Sequence, residues 1–151
     1  MVGSFAKKYP GRLLGLDIGT KKIGVAISDE SRTISSPKKI IANSKTVLLE
    51  IKGLIDDNRI AAIVVGLPLD MRGNKIPMTY FVEEFAKNLE GFLQKNYQQK
   101  IEIFFSDERL TSFEAKRIEE SGISKKSKKR NACDDIAASI ILTNFINSDV
   151  G

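Results

Sequence analysis

An α/β fold is what this sequence predicts: a mixed sheet led by a β-hairpin, with helices on both faces. Three observations point there. Leu13–Ile18 and Lys22–Ser28 are short alternating runs rich in branched aliphatics, joined through Gly19-Thr20-Lys21, which is the pattern of a hairpin. "AAIVVGLP" is a continuous apolar run of strand length, as expected for a strand covered on both sides. Downstream, segments with helical spacing alternate with strand-like runs, the arrangement of a sheet with helices packed above and below.

The elements follow in the order β-β-β-α-β-α-β-α-α. After the hairpin, Thr33–Ile41 is extended, and Pro37 demotes it to an edge strand. Ser44 is placed to cap a first helix with Val47, Leu48, Ile51, Leu54 and Ile55 on one face. "AAIVVGLP" is the fourth strand. Past the loop "LDMRGNK", Pro77 opens a second helix, whose Phe81, Val82, Phe85, Leu89, Phe92 and Leu93 should pack on the sheet. "IEIFF" is the last strand, ending in Ser106-Asp107-Glu108-Arg109. "TSFE" has capping-box form and starts a third helix that stops near Gly122. "SKKSKKR" reads as a solvated basic segment, and "DDIAASIILTNFI", apolar nearly all round, as a buried final helix opened by Asp134 and Asp135. Residues 1–12 form an N-terminal tail and 13–147 a single domain.

Composition narrows the chemistry. The chain of 151 residues has 42% hydrophobic and 28% charged residues, those of an ordinary globular domain. No window approaches the roughly 18 apolar residues of a membrane span, and the N-terminus lacks an apolar stretch of signal-peptide length. A single cysteine, Cys133, excludes an internal disulfide and a cysteine-based zinc site, so a reducing, cytoplasmic setting is expected. There is no histidine. That removes a histidine general base, a Ser-His-Asp triad and histidine-ligated zinc. A net charge of +5 inclines the chain toward a polyanionic partner.

Carboxylates stand where polar residues are least expected. Asp17 is inside the first strand, Asp107 and Glu108 terminate the last, and Asp134 and Asp135 open an apolar helix. If the first strand is central with the last beside it, their ends meet at one edge of the sheet. Clustered carboxylates repel and stay ionised only when a cation neutralises them. Mg²⁺ or Mn²⁺ is hard, oxygen-seeking and needs no histidine, and two such ions ~4 Å apart can activate water for phosphodiester hydrolysis. Each acid also has a structural reading. Asp17 can tie its own turn, Asp134 or Asp135 can cap a helix, and Asp107-Glu108 can be a solvated strand end. Around the acids, Lys21, Lys22 and Arg109, with Lys125, Lys126, Lys128, Lys129 and Arg130 of "SKKSKKR", are candidate contacts to nucleic-acid phosphates.

"GLDIGTKKIGVAISD", "VVGLPLDMRG", "DERLTSFEA" and "DDIAASIIL" together resemble the YqgF (RuvX) family, over roughly Leu13 to Ile146. The resemblance implies an RNase H-like fold and a metal-dependent nuclease acting on the 5′ end of pre-16S rRNA. Two alternatives accompany it: resolution of branched DNA, and a non-catalytic RNA-binding role in ribosome assembly. It implies Asp17, Glu108 and Asp134 as the catalytic acids, with Asp107 as a further metal ligand or a substitute for Glu108, and favours Asp134 over Asp135. It leaves a monomer and a homodimer both open. The chain departs from the family's "GLPLNMDG" at Asp70 and Arg72, and Arg72 joins the candidate nucleic-acid contacts.

Overall fold

A computed structural model describes residues 10–109 and 127–149, with side chains described except at 127–135 and 149. Its elements are β1 (Arg12–Ile18), β2 (Lys22–Ser28), β3 (Ser35–Ala42), α1 (Val47–Asn58), β4 (Ile60–Leu69), α2 (Pro77–Asn96), β5 (Glu102–Arg109) and α3 (Ser127–Asp149). The helix expected over 111–122 falls outside the described residues, as do Lys125 and Lys126.

The sheet order is β3-β2-β1-β4-β5. β1 and β2 form the expected antiparallel hairpin, with Asp17 opposite Gly24. The Gly19 N–H donates to the Lys22 carbonyl at 2.9 Å, and a Cβ at Gly19 would lie 2.6 Å from that carbonyl oxygen, so the tight turn needs glycine. β4 runs parallel to β1 and to β5. β1 is therefore central, as expected, but β5 does not lie beside it: β4 intervenes. β3 is the expected edge strand. Its register against β2 shifts between Val25 and Ala26, next to Pro37, Lys38 and Lys39, and prolines, lysines and bulges are what keep a sheet edge from pairing with strangers.

Strand alternation sorts the core onto two faces. Leu14, Leu16, Ile18, Val25, Ile63 and Val65 pack with α1 and α2. Leu13, Ala26, Ala62 and Val64 pack under α3, against Ala138, Ile141, Leu142, Phe145 and Ile146. Helices thus cover both faces, as the uninterrupted apolar run of β4 requires. α3 lies close because the sheet offers glycines: a Cβ on Gly15 would sit 3.1 Å from Leu142 Cβ and 3.2 Å from the Ala138 carbonyl oxygen.

Four local expectations are corrected. Ser44 does not cap α1. Its hydroxyl accepts from the Thr46 N–H, and Thr46 occupies the cap position without a side-chain bond. In α2, Phe81 is exposed, because Thr79, Val82, Ala86, Leu89 and Leu93 form the buried stripe and Phe81 stands beside it. α3 begins at Ser127 rather than at Asp134, so Lys128, Lys129 and Arg130 are helical; lysine and arginine are good helix formers. Nor is α3 buried all round, since Ile136 and Ile140 are 48% and 50% exposed on its outer side.

Candidate active site

The acids are placed by the same alternation. Asp17 follows Leu13 and Gly15 at two-residue steps, so it belongs to the α3 face of β1. Its neighbour on β2 is Gly24. On β4 the paired register ends at Leu16–Val65, and Gly66 is the next residue of that strand. Asp17 thus has a glycine opposite it on β2 and lies just past the last paired step with β4.

Glu108 occupies the same face of β5. Phe104, four residues earlier, stacks against Phe145 of α3 with ring centroids 5.4 Å apart, and Ser106 and Glu108 follow on that side. The Ser106 hydroxyl, 8% exposed, donates to Glu108 Oε2 at 3.2 Å and fixes the carboxylate. With β4 between them, the β1 and β5 backbones are separated by two strand spacings, ~10 Å. Gly66 of β4 stands in that gap, and Ile141 of α3 seats on it: a Cβ there would lie 2.4 Å from Ile141 Cδ1 and 3.3 Å from Glu108 Cγ. α3 comes this close to the sheet between Asp17 and Glu108 because position 66 is glycine.

Asp134 reaches this region on α3. Ala138, one turn further along the helix, lies over Gly15, two residues before Asp17. Because α3 starts at Ser127, Asp134 stands about two turns inside the helix. A cap or dipole role, confined to the first turn, does not account for it. Its side chain and that of Asp135 are outside the described residues.

Asp107 does not join this group. It alternates with Glu108 to the opposite face and lies 3.1 Å from Arg109 Nε in an ion pair. Arg109 lies against Gly73, with its side chain 52% exposed. Lys21 and Lys22 sit on the β1–β2 turn at the same end of the sheet as Asp17, both exposed. Arg72 is exposed at the tip of the loop after β4. The Asp70 carboxylate there accepts from the N–H groups of Arg72 and Asn74, at 2.9 and 2.8 Å, which holds it below the usual carboxylate range, with the Asn74 bond the main cause. An asparagine oxygen accepts the same bonds, so the departure from "GLPLNMDG" at position 70 leaves the turn intact. Sequence reasoning missed Ser106 and the packing role of Gly66; "SDE" carried the signal for the first, since residues two apart share a strand face.

Among the described residues, no three Asp, Glu or Cys side chains gather closely enough to hold a metal ion. Asp134 and Asp135, whose side chains are outside the described residues, are not among them. The predicted donor set, carboxylate oxygens alone, fits a hard divalent cation.

A family model described as RuvX, Holliday junction resolvase, matches residues 11–148. A protein of Roseiflexus sp. (strain RS-1) named "Putative pre-16S rRNA nuclease" is 40% identical over 141 residues, covering 92% of this chain and 96% of its own. One of the same name from Sulfurihydrogenibium sp. (strain YO3AOP1) is 38% identical over 136 residues, 90% of each chain. Among solved structures, Fowlpox virus resolvase with substrate Holliday junction DNA matches with a TM-score of 0.53 at 12% identity, covering 93% of this chain and 99% of that one. T. thermophilus RuvC in complex with a Holliday junction matches at 0.50 and 10% identity, covering 93% and 96%. At these identities the structural likeness establishes the fold, which is that of the resolvases. No described helix is long and apolar enough to cross a membrane.

Proposed function

The chain belongs to the RuvX family, and from that premise we propose that it is a metal-dependent endonuclease hydrolysing phosphodiester bonds, with the 5′ end of pre-16S rRNA as its substrate. The observation that carries the reading is that Asp17 of β1 and Glu108 of β5 share the α3 face of the sheet, with Gly66 of β4 between their strands. Carboxylates on one sheet face repel one another, and a hard divalent cation relieves that repulsion.

Asp17, Glu108 and Asp134 would hold Mg²⁺ or Mn²⁺. When bound, such ions supply positive charge that acidifies a water and stabilises the leaving oxygen. The protein's own part is positional. Ser106 orients the Glu108 carboxylate, and Gly66 lets Ile141 of α3 seat against the sheet beside it, which sets how close α3 lies to the acids. Lys21 and Lys22 on the β1–β2 turn, with Lys128, Lys129 and Arg130 at the start of α3, neutralise the flanking phosphates. Residues 13–147 act as one nuclease domain, in the cytoplasm, as a monomer or homodimer.

The ranking of substrates rests on the names of the curated relatives, which specify pre-16S rRNA. The family description favours a second reading, resolution of four-way DNA junctions. Cleavage of a pre-16S 5′ fragment and of a four-way junction, side by side with and without Mg²⁺ or Mn²⁺, tests both. Asp17→Asn should lose at least ~100-fold in cleavage rate while still binding RNA. A variant that cleaves like the wild type would remove the mechanism, and one that binds and matures RNA without cutting would make the chain an assembly factor.

A further inference from the structure

The hairpin between β4 and α2 is held from two directions, and both lead back to the strands beside the acids. At its base the Thr79 hydroxyl donates to the Pro68 carbonyl and accepts from the Ile76 N–H at 3.0 Å. Pro68 is the register partner of Glu108, and Leu69 of Arg109. At the tip, Asp70 closes the turn through the N–H groups of Arg72 and Asn74, and the Asp70 N–H donates to the Asn74 carbonyl at 3.0 Å. Gly73 has φ +84°, and a Cβ there would lie 2.9 Å from Arg109 Nη2 and 3.1 Å from its Cζ. The guanidinium rests where a side chain at position 73 would be, and its Nε is committed to Asp107 Oδ2 at 3.1 Å. Both arginines are exposed, but Arg109 lies against Gly73 of the hairpin and pairs with Asp107, whereas Arg72 is carried at the hairpin's tip.

We propose that Arg109 is a positioning residue: with Asp107 it braces the Leu69–Lys75 hairpin against the strand that carries Glu108, so that Arg72 grips the phosphate backbone of the bound nucleic acid at a set distance from the acids. The inference rests on the nuclease reading and deepens it. It gives Asp107 a task other than metal binding, and it explains why the turn carries glycine at 73. A planar, fixed-charge guanidinium suits bracing of this kind, because it can lie along backbone while donating sideways to a carboxylate.

The test is a double-mutant cycle between Arg72→Ala and Arg109→Ala. Binding of a labelled pre-16S 5′ RNA fragment, and of a four-way DNA junction, is measured without divalent ions over a series of salt concentrations. Steady-state cleavage is measured with them. Arg72→Ala should weaken binding by ~5–20-fold and lower the slope of log affinity against log salt by about 1, as the loss of one phosphate contact does. Arg109→Ala should reproduce most of that loss, raise KM with kcat within about twofold of wild type, and add nothing in the Arg72→Ala background. Arg109→Lys should behave like the alanine variant. Two results overturn the inference while leaving the nuclease reading intact. One is additive losses, with the salt slope falling by about 2 in the double variant, which makes Arg109 a phosphate ligand in its own right. The other is Arg72→Ala binding like the wild type. A wild-type protein that neither binds nor cuts either nucleic acid overturns the nuclease reading and this inference with it.

Discussion

Replacing Gly66 by alanine adds one methyl where the fold has no room. The new Cβ would lie 2.4 Å from Ile141 Cδ1, 3.0 Å from its Cγ1 and 3.3 Å from Glu108 Cγ. The first contact forces Ile141 out of its rotamer or lifts α3 from the sheet, and overpacking of this kind costs ~1–3 kcal/mol. For a chain this long, each kcal/mol lowers Tm by ~2–4 °C, so the expected fall is about 2–12 °C. Ile141→Val removes the atom that clashes first. In the wild type that truncation leaves a gap and costs ~0.5–1.5 kcal/mol. In the Gly66→Ala background it should instead recover stability, giving a favourable coupling of at least ~1 kcal/mol across the cycle. Urea unfolding of the four proteins, with slopes compared to check that the unfolded states match, reads the coupling directly. Cleavage should behave differently. The methyl still crowds Glu108, so the double variant should regain its midpoint and not its rate. Unchanged stability in Gly66→Ala, or a cycle that merely sums, would refute the seating of α3 on position 66.

Two further outcomes concern pH and hydroxyl–carboxylate bonds. Asp29 accepts from the N–H groups of Thr33 and Ile34 and from the hydroxyls of Ser31 and Thr33, and its carboxyl is held below the usual range, chiefly by Ser31. A group whose folded pKa is depressed stabilises above its ordinary pKa and loses that contribution as pH falls; Asp29→Ala should therefore lose less stability than wild type between pH 5 and about 2, measured by urea unfolding across that range. The Tyr97 hydroxyl donates to Asp56 at 2.6 Å, and burial, then Asp56, pushes its ionisation up. Its stabilising effect is complete below the ordinary tyrosine pKa of about 10 and fades as pH rises through the folded value. Tyr97→Phe should cost about 1 kcal/mol at neutral pH and remove that alkaline loss, with phenolate absorbance reporting the titration.

Much of this architecture is written in local pattern. Alternation and Gly19 specify the hairpin, the run from Ala61 to Val65 specifies a strand covered on both sides, and Pro37 marks the edge. Asp17 announced itself because a charge inside such a strand needs a reason. What stayed hidden is long-range or depends on the breadth of a stripe. Nothing local says that β4 separates β1 from β5, so the meaning of Gly66 is invisible until the sheet order is known. Asp107 and Glu108 are adjacent and chemically alike; only Phe104 resting on Phe145 decides which of them faces α3. The start of α3 was missed because "SKKSKKR" has no apolar period, and helix propensity without periodicity is a weak signal. Phe81, Ile136 and Ile140 are apolar at helical spacing yet exposed, since spacing defines a stripe and not its limits.

The two margins of the sheet are unequal. Along β3, Pro37 withholds a donor, the register slips and two lysines crowd the rim, whereas β5 keeps unbroken step with β4 from Glu102 to Arg109 and bears Phe105, 43% exposed. Growth of a fibre by strand addition needs two receptive ends on every unit, so that each newcomer offers a place for the next. Among the described residues this molecule offers one. Copies that join through their strands should therefore stop at a closed couple, and sedimentation of concentrated protein should find couples and no filaments.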